Sequence, residues 1–270
     1  MPLRVLPATA DDAHRAVAIE SAAYGPNANS QALFPGPFPP GGDQSRVTTL
    51  VHQLHEDPAC RWAKVVDTDL EAHGQDAMVA FSMWYVWQTP RETLPPARQY
   101  GPGSNPEACE LFFGGMRREW IARMAHKPHA YLKLLHTDPA HQRRGAASLL
   151  LKWGTDQADA LGLPAYLESS EEGRVLYQRH GWRQVGKLVV DLSPWGGPAD
   201  ASSFLMLREP PGSALAVKSF LLPQGIHDFE PKVVAKVTSH PVRHSSELID
   251  SSPLDRPSSI TMSPNAIAAH

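Results

Sequence analysis

Cysteine is nearly absent from this sequence: Cys60 and Cys109 are the only two in 270 residues. Two isolated thiols do not make a disulfide framework, and they fit a reducing compartment. An excess of one charge is lacking as well. Lys and Arg number 25 against 28 Asp and Glu, a formal net charge of −3, so the concentrated basic face that broad nucleic-acid binding requires is missing. No apolar run reaches the length of a membrane span and no secretory leader is apparent, so the expectation is a cytoplasmic protein engaging neither membrane nor nucleic acid. The 13 histidines show no tight ligand spacing. His126 and His129 stand three apart without a carboxylate or Cys beside them, which reads as a solvated loop, and no metal is expected. The phosphate-type turn described below lacks Gly-x-Gly-x-x-Gly and no acidic ribose-binding residue follows at the right distance, which argues against a dinucleotide-binding domain.

What is present centres on residues 131–147. Tyr131 to Leu135 is apolar apart from Lys133, while Ala147, Leu150, Leu151, Ala158 and Leu161 recur at helical spacing, so a strand leads directly into a helix. Pro139 ends the strand because it cannot donate to a ladder. Gly145 with the small Ala146 and Ala147 lets a ligand come close to the backbone at the first helical turn. There the unpaired amides of Arg143 to Ala147 and the positive end of the helix dipole make a site for a pyrophosphate, with Arg143 and Arg144 adding fixed charge.

The run Gln142-Arg143-Arg144-Gly145-Ala146-Ala147 resembles the acyl-CoA signature Gln/Arg-x-x-Gly-x-Gly/Ala of the GNAT N-acetyltransferases. A second short strand, Pro164 to Ser169, follows it. Next comes Ser170-Glu171-Glu172-Gly173-Arg174-Val175-Leu176-Tyr177-Gln178-Arg179-His180-Gly181-Trp182, similar to the family's second block Asn-x-x-Ala-x-x-Leu-Tyr-x-x-x-Gly-Phe, with Ser170, Gly173 and Trp182 as departures. The match is good over roughly 129–190 and rests elsewhere on the order of elements. The resemblance implies an α/β fold of the GNAT type, a mixed, mostly antiparallel twisted sheet flanked by helices, with a V-shaped splay between strands for acyl-CoA.

The rest of the chain is consistent with that layout. Leu3 to Leu6 reads as a strand, Thr9 with Asp11 and Asp12 as the start of a helix to Ala23, and the proline-rich Pro26 to Gly42 as a loop. Asp43 to Glu56 reads as a helix, Arg61 to Asp67 and Met78 to Trp87 as a strand pair, Gln88 to Pro106 as irregular, and Ala108 to Met124 as a helix. Gln184 to Leu192 and Ser203 to Leu207 are strands. Residues 1–208 are expected to form the acetyltransferase domain. Residues 209–270, rich in Pro and Ser with short apolar patches at Phe220 to Leu222 and Val233 to Ala235, are expected to be a disordered tail, the alternative being a strand or short helix docked on the domain.

By the resemblance, Leu135, His136 and Thr137 supply backbone to the pantetheine arm of acetyl-CoA, the co-substrate. Gln142, Arg143, Arg144, Gly145, Ala146, Ala147 and Ser170 belong with them as its binding residues. Tyr177 matches the tyrosine that faces the CoA sulfur. A phenol of pKa about 10 reaches a thiolate whose acid has pKa about 8.5 only uphill by roughly 2 kcal/mol, so it positions the sulfur as much as it protonates it. Ser169-x-x-Glu172 fits a capping box for the Tyr177 helix, and Gly181 its C-terminal stop. The family's base position falls at Tyr131 and Lys133, neither an obvious base. Glu168, at the end of the next strand, is the carboxylate nearest the expected cleft, and Glu110 and Glu119 read as solvated. Strand alternation puts His129, Tyr131 and Lys133 on one face and His136 on the other. Trp84, Tyr85, Trp87, Phe112, Phe113 and Trp120 are either acceptor-pocket aromatics or core. The expected function is acetyl transfer from acetyl-CoA to the primary amine of a small molecule by a monomer or homodimer. A protein acceptor, or a non-catalytic acyl-CoA-binding module, stays open.

Overall fold

The computed structural model describes residues 2–213, apart from 26 and 96, together with the backbone of 232–235. Eight strands form one sheet: β1 (Leu3–Pro7), β2 (Cys60–Asp67), β3 (Met78–Trp87), β4 (His129–Thr137), β5 (Ala165–Ser169), β6 (Arg183–Val190), β7 (Ala201–Arg208) and β8 (Lys232–Ala235). Their order is β1-β2-β3-β4-β5-β7-β6-β8, antiparallel except for the pairs β4/β5 and β6/β8. The expectation of a disordered tail otherwise falls on residues outside those described.

Two helical layers cover the sheet. On one face lie α1 (Ala13–Tyr24) and α3 (Gly42–Glu56), with Ala13, Ala16, Val17 and Leu50 packed on Trp62, Phe81, Met83 and Leu134. On the other lies α7 (Ala146–Ala160), whose Leu150, Leu151 and Ala158 are fully buried. The helix reaches the sheet closely because Gly154 leaves room for the Trp84 indole; a Cβ there would overlap it. After β5 comes α8 (Glu171–Arg179), closed by Gly181 in the left-handed region at φ 82°, where the Trp182 amide donates to the Tyr177 carbonyl at 3.2 Å.

Several boundaries depart from the sequence expectations. The proline-rich stretch holds a short helix, α2 (Ala28–Leu33), because Asn27 accepts from the Ser30 amide at 2.9 Å and no proline falls between Asn27 and Phe34. Another short helix, α4 (Thr68–Ala72), follows β2. The helix expected from Ala108 to Met124 is α5 (Pro106–Cys109), a π-helical turn over Glu110–Gly114 and α6 (Gly115–Arg123). The cap of α8 is Ser170, whose hydroxyl accepts from the Gly173 amide at 3.3 Å, while the Ser169 hydroxyl donates to the Ser170 carbonyl; the Ser169 box does not form. His129 is fully buried as the first residue of β4 and not in a solvated loop.

The Gly154 seam is directly testable. Gly154→Val forces either the buried indole or α7 to move, an overpacking cost of about 1–3 kcal/mol that should appear as a lower denaturant midpoint. A loss below about 0.5 kcal/mol would show that the helix does not seat on Trp84 as described.

Candidate active site

Two irregularities in β4 create the site. The first is a split. β4 pairs with β5 only at Ala130↔Ala165 and Tyr131↔Tyr166. Beyond that point β4 stays with β3 as far as Thr137↔Ala80, and β5 stays with β7 as far as Ser169↔Phe204. From Leu132 to Thr137 the edge of β4 that faces β5 therefore has no strand partner, and Leu135, His136 and Thr137 lie along it.

The second is a bulge. Met83 is opposite Leu134 and Trp84 opposite Leu132, which leaves Lys133 as the extra residue on β4. One added residue reverses the alternation beyond it. His136 consequently shares the α1 face with Tyr131 and Lys133, where strict alternation had put it on the opposite face. It meets Tyr24 edge-on at 4.8 Å and lies 3.9 Å from Glu20. Glu20 is itself bound by both arms of the buried Arg46 at 2.9 Å. Burial holds the His136 imidazole neutral, at about 4, and neither ring nitrogen has a partner among the described residues.

At the far end of the split, Arg143 (φ 61°) and Gly145 (φ 92°) are both left-handed, and a Cβ on Gly145 would meet open space. Alternating left-handed residues turn successive amides to one side, a concavity suited to anions. Among the described residues no amide from Gln142 to Ser148 donates a hydrogen bond to the protein; the first to do so is Leu149, to the Gly145 carbonyl at 3.1 Å. Gln142, Arg143 and Gly145 are exposed, Ala147 is partly exposed and Ala146 is buried. Arg144 is held back by Asp67 at 2.7 Å and touches His141 at 3.0 Å. Ser170 uses its hydroxyl for the α8 cap.

Glu168 and Tyr177 reach the split from opposite faces. Tyr177 belongs to the α7 side, packed on Trp182 with ring centroids 6.2 Å apart, and burial raises its pKa. Glu168 is buried on the other side. The Tyr131 hydroxyl donates to its Oε2 at 2.7 Å, and Lys133 Nζ donates to that hydroxyl at 3.2 Å. Burial pushes the Glu168 carboxyl up and brings Lys133 down to about 8, with Arg98 and Arg46 also disfavouring the ammonium. Glu168 Oε1 has no partner among the described residues. Sequence reading singled out Glu168, and Tyr131 and Lys133 as the family's base position, but not their convergence, which depends on the bulge at Lys133.

These three side chains line a cleft of about 260 Å³ whose walls include Tyr85, Trp87, Phe113 and Trp120. Trp84 and Phe112 are buried core. Trp120 stacks on Tyr131 at 5.8 Å and donates to His129 Nε2 at 3.0 Å, with His129 Nδ1 on the Lys127 carbonyl at 2.7 Å. Those bonds fix a neutral imidazole, which burial holds at about 4. Glu110 is on the cleft rim, paired with Arg118 at 2.8 Å, and Glu119 pairs with Arg123 at 2.9 Å.

The acetyltransferase (GNAT) family model matches residues 111–182, from the π-helical turn through the split strands to Trp182. That stretch, about a quarter of the chain, is similar to the GNAT acetyltransferases. A probable acyltransferase, SID5 of Ajellomyces capsulatus, is 38% identical to this chain over 51 residues, 19% of this chain and 38% of that protein, so the match spans well under half of the relative's length. Two solved structures share the GNAT fold. "Histone acetyltransferase HPA2 and related acetyltransferase" from Corynebacterium glutamicum is 20% identical, with 79% of this chain and 99% of that one covered at a TM-score of 0.50. The C-terminal condensation domain of Ebony, solved with beta-alanyl-dopamine, is 12% identical, with 77% and 98% covered at 0.57. Among the described residues, no group of three His, Cys, Asp or Glu side chains is placed to hold a metal ion, and no helix is long and apolar enough to cross a membrane.

His129 and His136 make stability depend on pH. The unfolded chain takes up protons on them below about 6.5, whereas the folded protein resists until about 4, so their contribution is complete above pH 6.5 and is lost as pH falls through that window. Urea midpoints measured from pH 7.5 to 4.5 should decline by a few kcal/mol equivalent, and His136→Gln should flatten the decline. An identical slope in the variant would mean that His136 is already charged in the folded state.

Proposed function

We propose that this protein transfers the acetyl group of acetyl-CoA to the primary amine of a small molecule, with Glu168 as the base. The observation that carries this reading is Glu168 Oε1, a buried carboxylate oxygen that makes no hydrogen bond within 3.5 Å among the described residues although the Tyr166 side chain is a neighbour, on a residue that lines an aromatic cleft beside the β4/β5 split. A buried carboxylate that lacks a donor is costly unless a ligand supplies one.

The residues fit the co-substrate. The free amides of 143–147 and the exposed Arg143 suit its diphosphate, and the unpaired edge of β4 from Leu135 to Thr137 suits the amide groups of its pantetheine arm. Amide donors on that edge would also face the thioester oxygen as it gains charge.

An amine attacks only as the neutral species. Glu168 Oε1 takes one proton from the ammonium, and the raised carboxyl pKa lessens the mismatch between base and acid. The Tyr131 hydroxyl fixes Oε2 and leaves Oε1 for the amine, and the Lys133 ammonium steadies the ionised carboxylate. The nitrogen then bonds to the acetyl carbon, the carbon–sulfur bond breaks, and the nitrogen's remaining surplus proton leaves as the thiolate is protonated. Tyr177 remains a phenol at neutral pH because burial raises its pKa. It therefore serves the sulfur as a hydrogen-bond donor, since full transfer would cost more than the roughly 2 kcal/mol of an ordinary phenol. The modest volume of the cleft, about 260 Å³, favours a small acceptor over a polypeptide.

Incubation with acetyl-CoA and a panel of amines and peptides, read by free thiol release, tests the proposal. Glu168→Gln should lower kcat/KM by about 10²–10⁴ and abolish the fall in rate at acidic pH that protonation of Glu168 produces. A variant within about threefold of the parent would remove Glu168 as base. CoA binding without turnover on any acceptor would leave an acyl-CoA-binding module.

A further inference from the structure

The cleft carries a charge pattern that base chemistry alone does not require. Its lining includes Arg91, Arg98, Arg117, Arg118 and Lys133 against Asp57, Glu110 and Glu168, five cationic side chains to three carboxylates. When all are ionised the cleft is positive by two. Arg91 lies on Asp57 at 2.9 Å and over the Trp87 ring at 4.6 Å, and Arg118 lies on Glu110 at 2.8 Å. Arg117 differs from both. One of its terminal nitrogens donates to the Pro95 carbonyl at 2.6 Å, and its Nε is buried with no partner among the described residues. A guanidinium N–H shut away from water without an acceptor is expensive, and the cheapest remedy is an anionic ligand.

Arg117 is also correctly placed relative to the reaction. It stands one helical turn before Trp120 on α6, so the two side chains share a face. Trp120 stacks on Tyr131, and Tyr131 holds Glu168. The residues that line the cleft thus include a carboxylate with one oxygen lacking a donor, several aromatic side chains, and a guanidinium with one N–H lacking an acceptor among the described residues.

We propose that the acceptor is an amino carboxylate, an amine whose apolar or aromatic body also bears a carboxylate, and that Arg117 binds this carboxylate and sets specificity. This inference rests on the acetyl-transfer reading of the same cleft. The fork of an arginine matches a planar carboxylate, and a charge-assisted bond formed away from solvent is worth enough to dominate selection among small amines.

The test uses the full chain with CoA and three probes of one skeleton: phenylalanine, its methyl ester and phenethylamine. Binding is followed by calorimetry and turnover by thiol release with acetyl-CoA. The free acid should bind about ten- to hundredfold more tightly than the ester and the amine. Arg117→Gln should erase that preference with little change for phenethylamine, and Arg117→Lys should restore part of it. Equal binding of acid and amine by the parent protein, or a preference that survives Arg117→Gln, overturns the proposal. Preferential binding of the acid without thiol release from any probe upholds the carboxylate site and counts against the transfer reaction. Circular dichroism on the folded variants separates lost recognition from lost structure.

Discussion

A β-strand that parts from its neighbour leaves a row of amides and carbonyls that must find partners elsewhere, and this constraint organises the centre of the molecule. β4 and β5 stay paired for two residue pairs and then separate, each remaining bound to the strand on its outer side. An interior gap of this kind is tolerable only where water or a ligand can enter it. The helical layers leave that entry open, because α7 begins at a turn whose amides also face outward. Glu168 approaches the gap from one face and Tyr177 from the other, so groups on opposite sides of the sheet reach one opening in it.

Charges around the gap are buried unevenly. Arg46 and Glu20 form a two-pronged pair, and the adjacent His136 stays neutral because burial and the Arg46 charge outweigh Glu20. Across the same face, the Lys133 ammonium and the Glu168 carboxylate are each pushed toward neutrality by burial, with Tyr131 bridging them. Opposing shifts on neighbouring groups lower the cost of moving a proton between cleft and ligand. A buried pair of this sort is poor evidence for stability by itself, and its use here lies in holding Glu168 by its Oε2.

Much of the fold was legible in the sequence where local chemistry decides it. Gly145, Gly181, the apolar strands β2 and β3 and the apolar stripe of α7 all gave elements close to those observed, since each depends on residues a few positions apart. What escaped depended on distant partners. The bulge at Lys133 follows from the pairing of β3 and β4 and leaves no mark in β4 itself, yet it decides which face His136 occupies. The π-helical turn at Glu110 to Gly114, the burial of His129 beneath Trp120 and the choice of Ser170 over Ser169 as a cap are set in the same way. In the site, Glu168 stood out as the carboxylate nearest the expected cleft. Tyr131, Lys133 and Arg117 acquire their significance from what lies across the cleft from them.

The central claim is that the β4/β5 split and the turn at 142–148 form one continuous acyl-CoA site. A crystal structure of the protein with CoA tests it most directly. The diphosphate should lie within about 3.2 Å of amides between Arg143 and Ala147, and the pantetheine arm should run along the unpaired edge of β4 with its sulfur beside Tyr177. CoA bound elsewhere, or a split closed by strand pairing with those amides turned inward, would contradict it.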